Sequence, residues 1–137
     1  MDHPYVLKMI KDKVSLVIPA QPQFKPFSLD FSDYFNKSHL GLGGRSLLAK
    51  AVKSKNKLAG AILDTTGGWA RDAFFLAQQG CDITVVEQVE LVFRLLQDAH
   101  VRALAHGHLH SIVSKLKFIH ADARSLLTQK RFYKVIY

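Results

Sequence analysis

Ala61-Ile62-Leu63-Asp64-Thr65-Thr66-Gly67-Gly68-Trp69-Ala70-Arg71-Asp72-Ala73-Phe74 decides how the rest of the chain is read. A short apolar run ends on an acid, and a glycine-containing turn follows. Ala70, Ala73, Leu76 and Ala77 then recur at helical steps as far as Gly80. The pattern predicts a buried strand over 61–63, a tight turn, and a helix over 70–79 closed by the glycine. The unit repeats downstream. Cys81–Val86 reads as a second strand ending at Glu87, and Val89 to about His106 as a longer helix. Val89, Val92, Phe93, Leu96, Ala99 and Ala103 form the inner face of that helix. Leu116–His120 is a third strand, Ala123–Leu127 a helical turn, and Lys134–Tyr137 a fourth strand. Strands separated by helices require parallel crossovers, so the fold class is α/β with an open, Rossmann-like sheet. Ligands of such sheets bind beyond the carboxyl ends of the strands. Three segments sit there, Asp64–Asp72, Glu87–Gln88 and His120–Ala123, and they are expected to meet at one crevice.

The first sixty residues differ in character. Lys13–Ile18 is a short β-branched run, punctuated afterwards by Pro19, Pro22 and Pro26. Phe27, Leu29 and Phe31 alternate with polar residues, which predicts a half-buried strand over 27–31. Gly41–Arg45 is a loop leading into a helix from Ser46, expected to end near Ser54–Asn56. Residues 1–60 are accordingly read as a basic extension of short strands plus a helix. Residues 61–137 are read as the cofactor-binding half of the α/β domain.

Composition narrows the classes. The chain has 137 residues, enough for one domain. Its single cysteine, Cys81, excludes a disulfide framework and multi-cysteine zinc modules, and reads as core. No apolar run reaches the ~20 residues of a membrane span, and no secretory signal is evident, so a cytoplasmic protein is expected. The net charge is +8, with ten basic against four acidic residues in 1–60 and nine against seven in 61–137. A basic surface favours a polyanion, nucleic acid above all, although a solvated lysine face has the same composition.

At the strand ends, Gly67 and Gly68 permit close approach of a ligand to backbone. Ala70 stands where a dinucleotide motif needs glycine, so a smaller nucleoside ligand such as S-adenosylmethionine is favoured. Glu87, 23 residues after Asp64, is placed to accept from ribose hydroxyls, or is an exposed glutamate at a helix start favoured by the dipole. Asp122 suits an exocyclic adenine amine with the Ala123 N–H beside it, or caps the following turn. Arg71 opposes the helix dipole and needs a partner, either a ligand carboxylate or an ion pair with Asp64 or Asp72. Trp69 either walls the pocket or covers the core. His106, His108 and His110 read as a helix end rather than a metal site.

The Asp64–Phe74 stretch resembles the D-A-T-A-G-L-G-R-D-A-F motif of the bacterial small-subunit ribosomal RNA methyltransferase J family. Gly41–Val52 is similar to its F-G-G-G-R-x-x-x-x-A-K-A-V segment, Phe27–Phe31 to its I-x-V-D-F strand, and Phe118–Ala121 to its L-I-H-A. Gly80-Cys81 and Val86-Glu87 fall where that family has G-C and L-E-R. The resemblance implies a class I, S-adenosylmethionine-dependent enzyme methylating the exocyclic N2 of a guanine in 16S ribosomal RNA. By it, Arg71, Asp72, Glu87, Gln88, Asp122 and Ala123 occupy cofactor positions; Asp64 and Gly68, at the first strand end, complete the candidate cofactor-binding residues. Arg45, Lys50, Lys53, Lys55 and Lys57 are the candidate RNA contacts. Ala70, Gln88 and the pair Asp122-Ala123 depart from the family's glycine, arginine and serine pair. The D-P-M-F-P motif that lines the target base would begin just past Tyr137, so no catalytic residue is assigned within 1–137. The expectation is a polypeptide that alone is poorly stable or aggregation-prone, and inactive. A non-catalytic nucleic-acid-binding fragment and a small-molecule methyltransferase are the alternatives.

Overall fold

The computed structural model describes residues 4–38, 47–54, 57–58 and 61–137. Strands β1 (Val6–Ile10) and β2 (Lys13–Val17) form an antiparallel hairpin. Its two-residue turn, Lys11-Asp12, has positive φ at both positions, matching the twist of the flanking strands. Helices α1 (Phe31–Ser38) and α2 (Leu47–Val52) follow. The two-residue strands β3 (Lys53–Ser54) and β4 (Lys57–Leu58) pair with each other.

The rest is the expected alternation. Strand β5 (Ala61–Asp64) leads to α3 (Arg71–Gln78), β6 (Asp82–Glu87), α4 (Glu90–Leu104), α5 (Gly107–Val113) and β7 (Leu116–His120). A 3-10 helix (Ala123–Phe132) and β8 (Val135–Ile136) complete it. The four strands are parallel in the order β7-β6-β5-β8. The chain thus winds outward from β5 through β6 to β7, then crosses back to β8 on the other side of β5. That reversal creates the crevice at the carboxyl ends.

Several expectations on these elements need correction. Residues 27–31 are not a strand: only Phe27 makes a bridge, to Leu16. Asp30 intervenes, because its carboxylate accepts from the backbone N–H and hydroxyl of Ser32 and so starts α1 at Phe31. The period of two still marks burial, since Leu29 and Phe31 both enter the core. Helix α2 ends at Val52, short of Ser54–Asn56, where the β3–β4 pairing takes over. Val89 is exposed at the N-cap of α4, and Leu95 joins the buried face instead. The histidine run does sit at a helix end, since α4 stops at Leu104 and His110 Nδ1 lies 2.9 Å from that residue's carbonyl, but a second helix begins within it. His106 is extended and caps α5, which buries Leu109 and Val113 one turn apart.

The core is continuous between the first segment and the sheet. Phe31 stacks on Phe74 of α3 and Phe118 of β7, with ring centroids 5.6 and 6.2 Å apart. Leu29, Phe31 and Val52 share one buried cluster with Ile62, Ile83, Val85 and Leu96.

A polar tie fastens the hairpin to α4. Arg102 donates through Nε to Asp98 at 2.8 Å and through Nη2 to the Leu29 carbonyl. Asp98 also accepts from the Val14 N–H, and Lys13 pairs with Asp30 at 2.8 Å. Partial burial pushes the Asp30 carboxyl up, but hydrogen bonds from Lys13 and Ser32 outweigh it and hold it at about 2. A carboxylate depressed on folding contributes stability that is present above its ordinary 3.8 and lost as pH falls through about 2. Acid titration of stability should therefore show a loss of about 1–2 kcal/mol between pH 4 and 2 that Asp30→Asn abolishes. Urea midpoints measured across that range check it.

Candidate active site

Three backbone segments converge on one pocket of about 320 Å³. They are Thr65–Gly68 after β5, Val86–Gln88 at the tip of β6, and Ala121–Ala123 after β7. Backbone pairing holds the tips in register: the Ala121 N–H donates to the Glu87 carbonyl, and Glu87 lies opposite His120 in the sheet. His120 adds a side-chain link, its Nε2 lying 3.1 Å from the Gln88 carbonyl and its ring stacked on Phe93.

Glu87 is the polar centre of the pocket. Its Oε2 accepts from the Gly68 N–H at 3.2 Å and its Oε1 from the Val89 N–H at 2.7 Å. Both carboxylate oxygens are thereby oriented, and each retains acceptor capacity. Gly67 provides the close approach. A Cβ there would lie 2.8 Å from the Val86 carbonyl oxygen and 2.9 Å from Val85 Cγ1, so only glycine lets the turn lie against β6.

Asp122 takes the capping role and more. It accepts from the backbone N–H of Arg124 at 2.9 Å and is gripped by that residue's guanidinium. The Arg124 hydrogen bonds hold its carboxyl at about 2. This ion pair is exposed, hence weak, and can be given up to a competing donor.

Asp64, Arg71 and Asp72 do not line the pocket. Asp64 is buried beneath the turn, accepting from the Thr66 N–H and hydroxyl at 2.9 and 3.1 Å and from the Tyr137 hydroxyl at 3.3 Å. Burial pushes its carboxyl up from the ordinary value, against the pull of the Thr66 hydrogen bonds. Of the two partners foreseen for Arg71, the internal ion pair is not formed. Among the described residues it makes no ion pair with Asp64 or Asp72; its guanidinium lies over the Tyr34 ring, 5.5 Å from the centroid. Trp69 is partly exposed and is not among the residues that line the pocket. Of the candidate RNA contacts, Lys50 is exposed on α2. Lys53 and Lys57 lie on β3 and β4, while Arg45 and Lys55 lie outside the described residues.

Thr65, Thr66 and Ala121 line the pocket from within the predicted strand-end segments without having been singled out as cofactor residues, and Val86 lines it from just outside them. Their only signal was adjacency to strand ends. No group of three or more metal-binding side chains exists among the described residues, and none of their helices is long and apolar enough to cross a membrane.

Ala70 holds φ 54°, ψ 29° at the start of α3, a left-handed conformation that costs an L-residue about 1–2 kcal/mol. It is also buried. Ala70→Val should destabilise by about 2 kcal/mol, because a β-branched residue tolerates neither the backbone nor the space. Ala70→Gly should stay within about 1 kcal/mol of the parent, since relief of strain is offset by chain entropy and a lost buried methyl. Thermal melts of the pair separate strain from packing.

The whole chain, residues 1–137, matches the family described as "Putative SAM-dependent methyltransferase". It is similar to the ribosomal RNA small subunit methyltransferase J of Coxiella burnetii, 41% identical over 97 residues, or 69% of this chain and 37% of that protein. The protein of the same name from Colwellia psychrerythraea is 30% identical over 121 residues, or 87% of this chain and 44% of the relative. Among solved structures, a SAM-dependent methyltransferase from Neisseria gonorrhoeae matches with a TM-score of 0.84 at 25% identity, over 100% of this chain and 57% of that one. The chain spans about two fifths of the length of the curated relatives it matches. Their shared name is that of the family to which the Asp64–Phe74 motif pointed.

Proposed function

From the premise that the chain belongs to the SAM-dependent methyltransferase family, we propose that it binds S-adenosylmethionine at the three strand tips and serves methyl transfer to the exocyclic N2 of a guanine in small-subunit ribosomal RNA. The observation that carries this is the Glu87 carboxylate, fixed by two backbone N–H groups at the mouth of a 320 Å³ pocket. A volume of that order suits a nucleoside-sized ligand.

The residues present fit the cofactor. Glu87 would accept from the ribose hydroxyls, and Asp122 with the Ala123 N–H would flank the adenine edge. The Gly67-Gly68 turn would lie against the ligand with no side chain between. Gln88 borders the same wall. Asp64 would act beneath the turn, holding Thr66, while Arg71 and Asp72 would open the helix behind it. S-adenosylmethionine supplies, when bound, a methyl group on a good sulfonium leaving group. This chain's contribution is then orientation: a rigid floor of parallel strand tips that excludes side-chain motion from the site. The target guanine must leave its stack to present the amine.

Titration calorimetry with S-adenosylhomocysteine tests the reading. A folded sample should bind one equivalent; no heat at high protein concentration would overturn it. The RNA arm rests on Lys50, exposed on α2. Lys50→Ala should weaken binding of a small-subunit rRNA fragment and lower the slope of log affinity against log salt by about one. An unchanged slope removes Lys50 from the interface.

A further inference from the structure

Beside the pocket stands an aromatic pair that the cofactor does not require. Trp69 follows Gly68 directly in the turn after β5, and its ring meets that of Phe27 with centroids 5.0 Å apart at 55°. Both are large apolar residues left open, 41% and 42% exposed. Single exposed apolar residues are ordinary. These two are paired, and both are braced from behind. The Tyr34 hydroxyl donates to the Trp69 carbonyl at 2.9 Å. Tyr34 in turn packs edge-on against the buried Phe31 and Phe74 rings. Phe27 exchanges two backbone hydrogen bonds with Leu16 of β2, at 2.7 and 3.0 Å. The backbones that carry the rings are therefore anchored, while about two fifths of each residue's surface stays open.

Charge identifies the occupant. Arg71, two residues beyond Trp69, is exposed and fixed over the Tyr34 ring. The segment that supplies Phe27 and Tyr34 holds most of the chain's excess of +8. Aromatic faces beside fixed cations are the means by which proteins take unpaired nucleotides, because every base has a face that stacks and every nucleotide a phosphate. An apolar protein partner would gain nothing from the cationic setting.

We propose that Trp69 and Phe27 form a stacking shelf for an unpaired base of single-stranded RNA, adjoining the strand-tip pocket. The shelf rests on the reading of that pocket as a site of methyl transfer to RNA. It would hold a nucleotide out of its helix next to the place where a guanine must be presented.

Trp69 is the only tryptophan of the chain, so its emission reports on the shelf alone. The experiment titrates the full chain with an unstructured oligoribonucleotide of about ten nucleotides, the same strand annealed to its complement, and heparin as a polyanion without bases. The single strand should quench the emission to saturation, and the duplex and heparin should not. By anisotropy of the labelled single strand, Trp69→Ala and Phe27→Ala should each weaken binding about tenfold, near the low end of one stack. Trp69→Phe should stay within about threefold of the parent, and duplex affinity should be unchanged throughout.

Equal quenching by all three probes would mean charge without stacking and would overturn the shelf. So would parental single-strand affinity in both alanine variants, which would leave the pair to a protein partner. S-adenosylhomocysteine calorimetry on the same samples keeps the two readings apart. Quenching by the single strand without cofactor heat sinks the pocket's assignment and keeps the shelf; cofactor heat without stacking does the reverse.

Discussion

Phe31→Ala is expected to remove about 3–5 kcal/mol of stability and to lower the melting temperature by about 10–15 °C. Phe31 is 1% exposed and lies between the rings of Phe74 and Phe118, with Tyr34 at its edge. Truncation leaves a cavity that α1 and α3 cannot close, because α1 is also held against α4 and α5, and α3 against β6 and β7. A loss of that size is a large share of the 5–15 kcal/mol typical of a domain. Phe31→Leu keeps most of the volume and should cost less than half as much. The effect should also reach the site, since α1 carries the tyrosine that anchors the Trp69 carbonyl. Denaturant and thermal melts check the prediction. A melting temperature within 3 °C of the parent would show that the first sixty residues form an extension independent of the sheet's core.

Glu87→Ala should reduce affinity for S-adenosylhomocysteine about 100-fold or more while leaving the melting temperature of the free protein within a few degrees. The carboxylate accepts from the N–H groups of Gly68 and Val89. Both bonds are exposed, so water replaces them in the free variant at little cost to the fold, whereas hydrogen bonds from enclosed ribose hydroxyls to a charged acceptor contribute about 1.5–3 kcal/mol each. Removing the side chain frees the glycine turn and withdraws the proposed acceptor for two ribose hydroxyls. Glu87→Gln should fall between alanine and the parent, because its amide NH₂ faces one of the two N–H donors. Calorimetry gives the affinities. Parental affinity in the alanine variant would remove the ribose assignment, whatever else the pocket binds.

The α/β class was legible in local pattern, and so were the four parallel strands and the three strand ends at the site. Burial on both faces of a parallel strand and on one face of a helix imposes apolar spacings of their own, as in Ile62-Leu63 and in Ala73, Leu76 and Ala77. Gly67 was legible too, as a turn that needs no side chain, although the atom it avoids, the Val86 carbonyl, was not. What local pattern missed was settled by partners distant in the chain. Phe27, Leu29 and Phe31 alternate as a strand would, yet Asp30 captures Ser32 and starts at Phe31 a helix that packs against α3. Arg71 stands against the helix dipole, and the ring under its guanidinium belongs to Tyr34, 37 positions earlier, which no local pattern announces. Asp64 carries the same charge as Glu87 at the same kind of strand end. One is buried under Thr66 and Tyr137 and the other opens on the pocket, because the turn after β5 folds over its own strand and leaves the tip of β6 uncovered. Periodicity records which side of an element is dry; only the packed chain decides which polar group meets which.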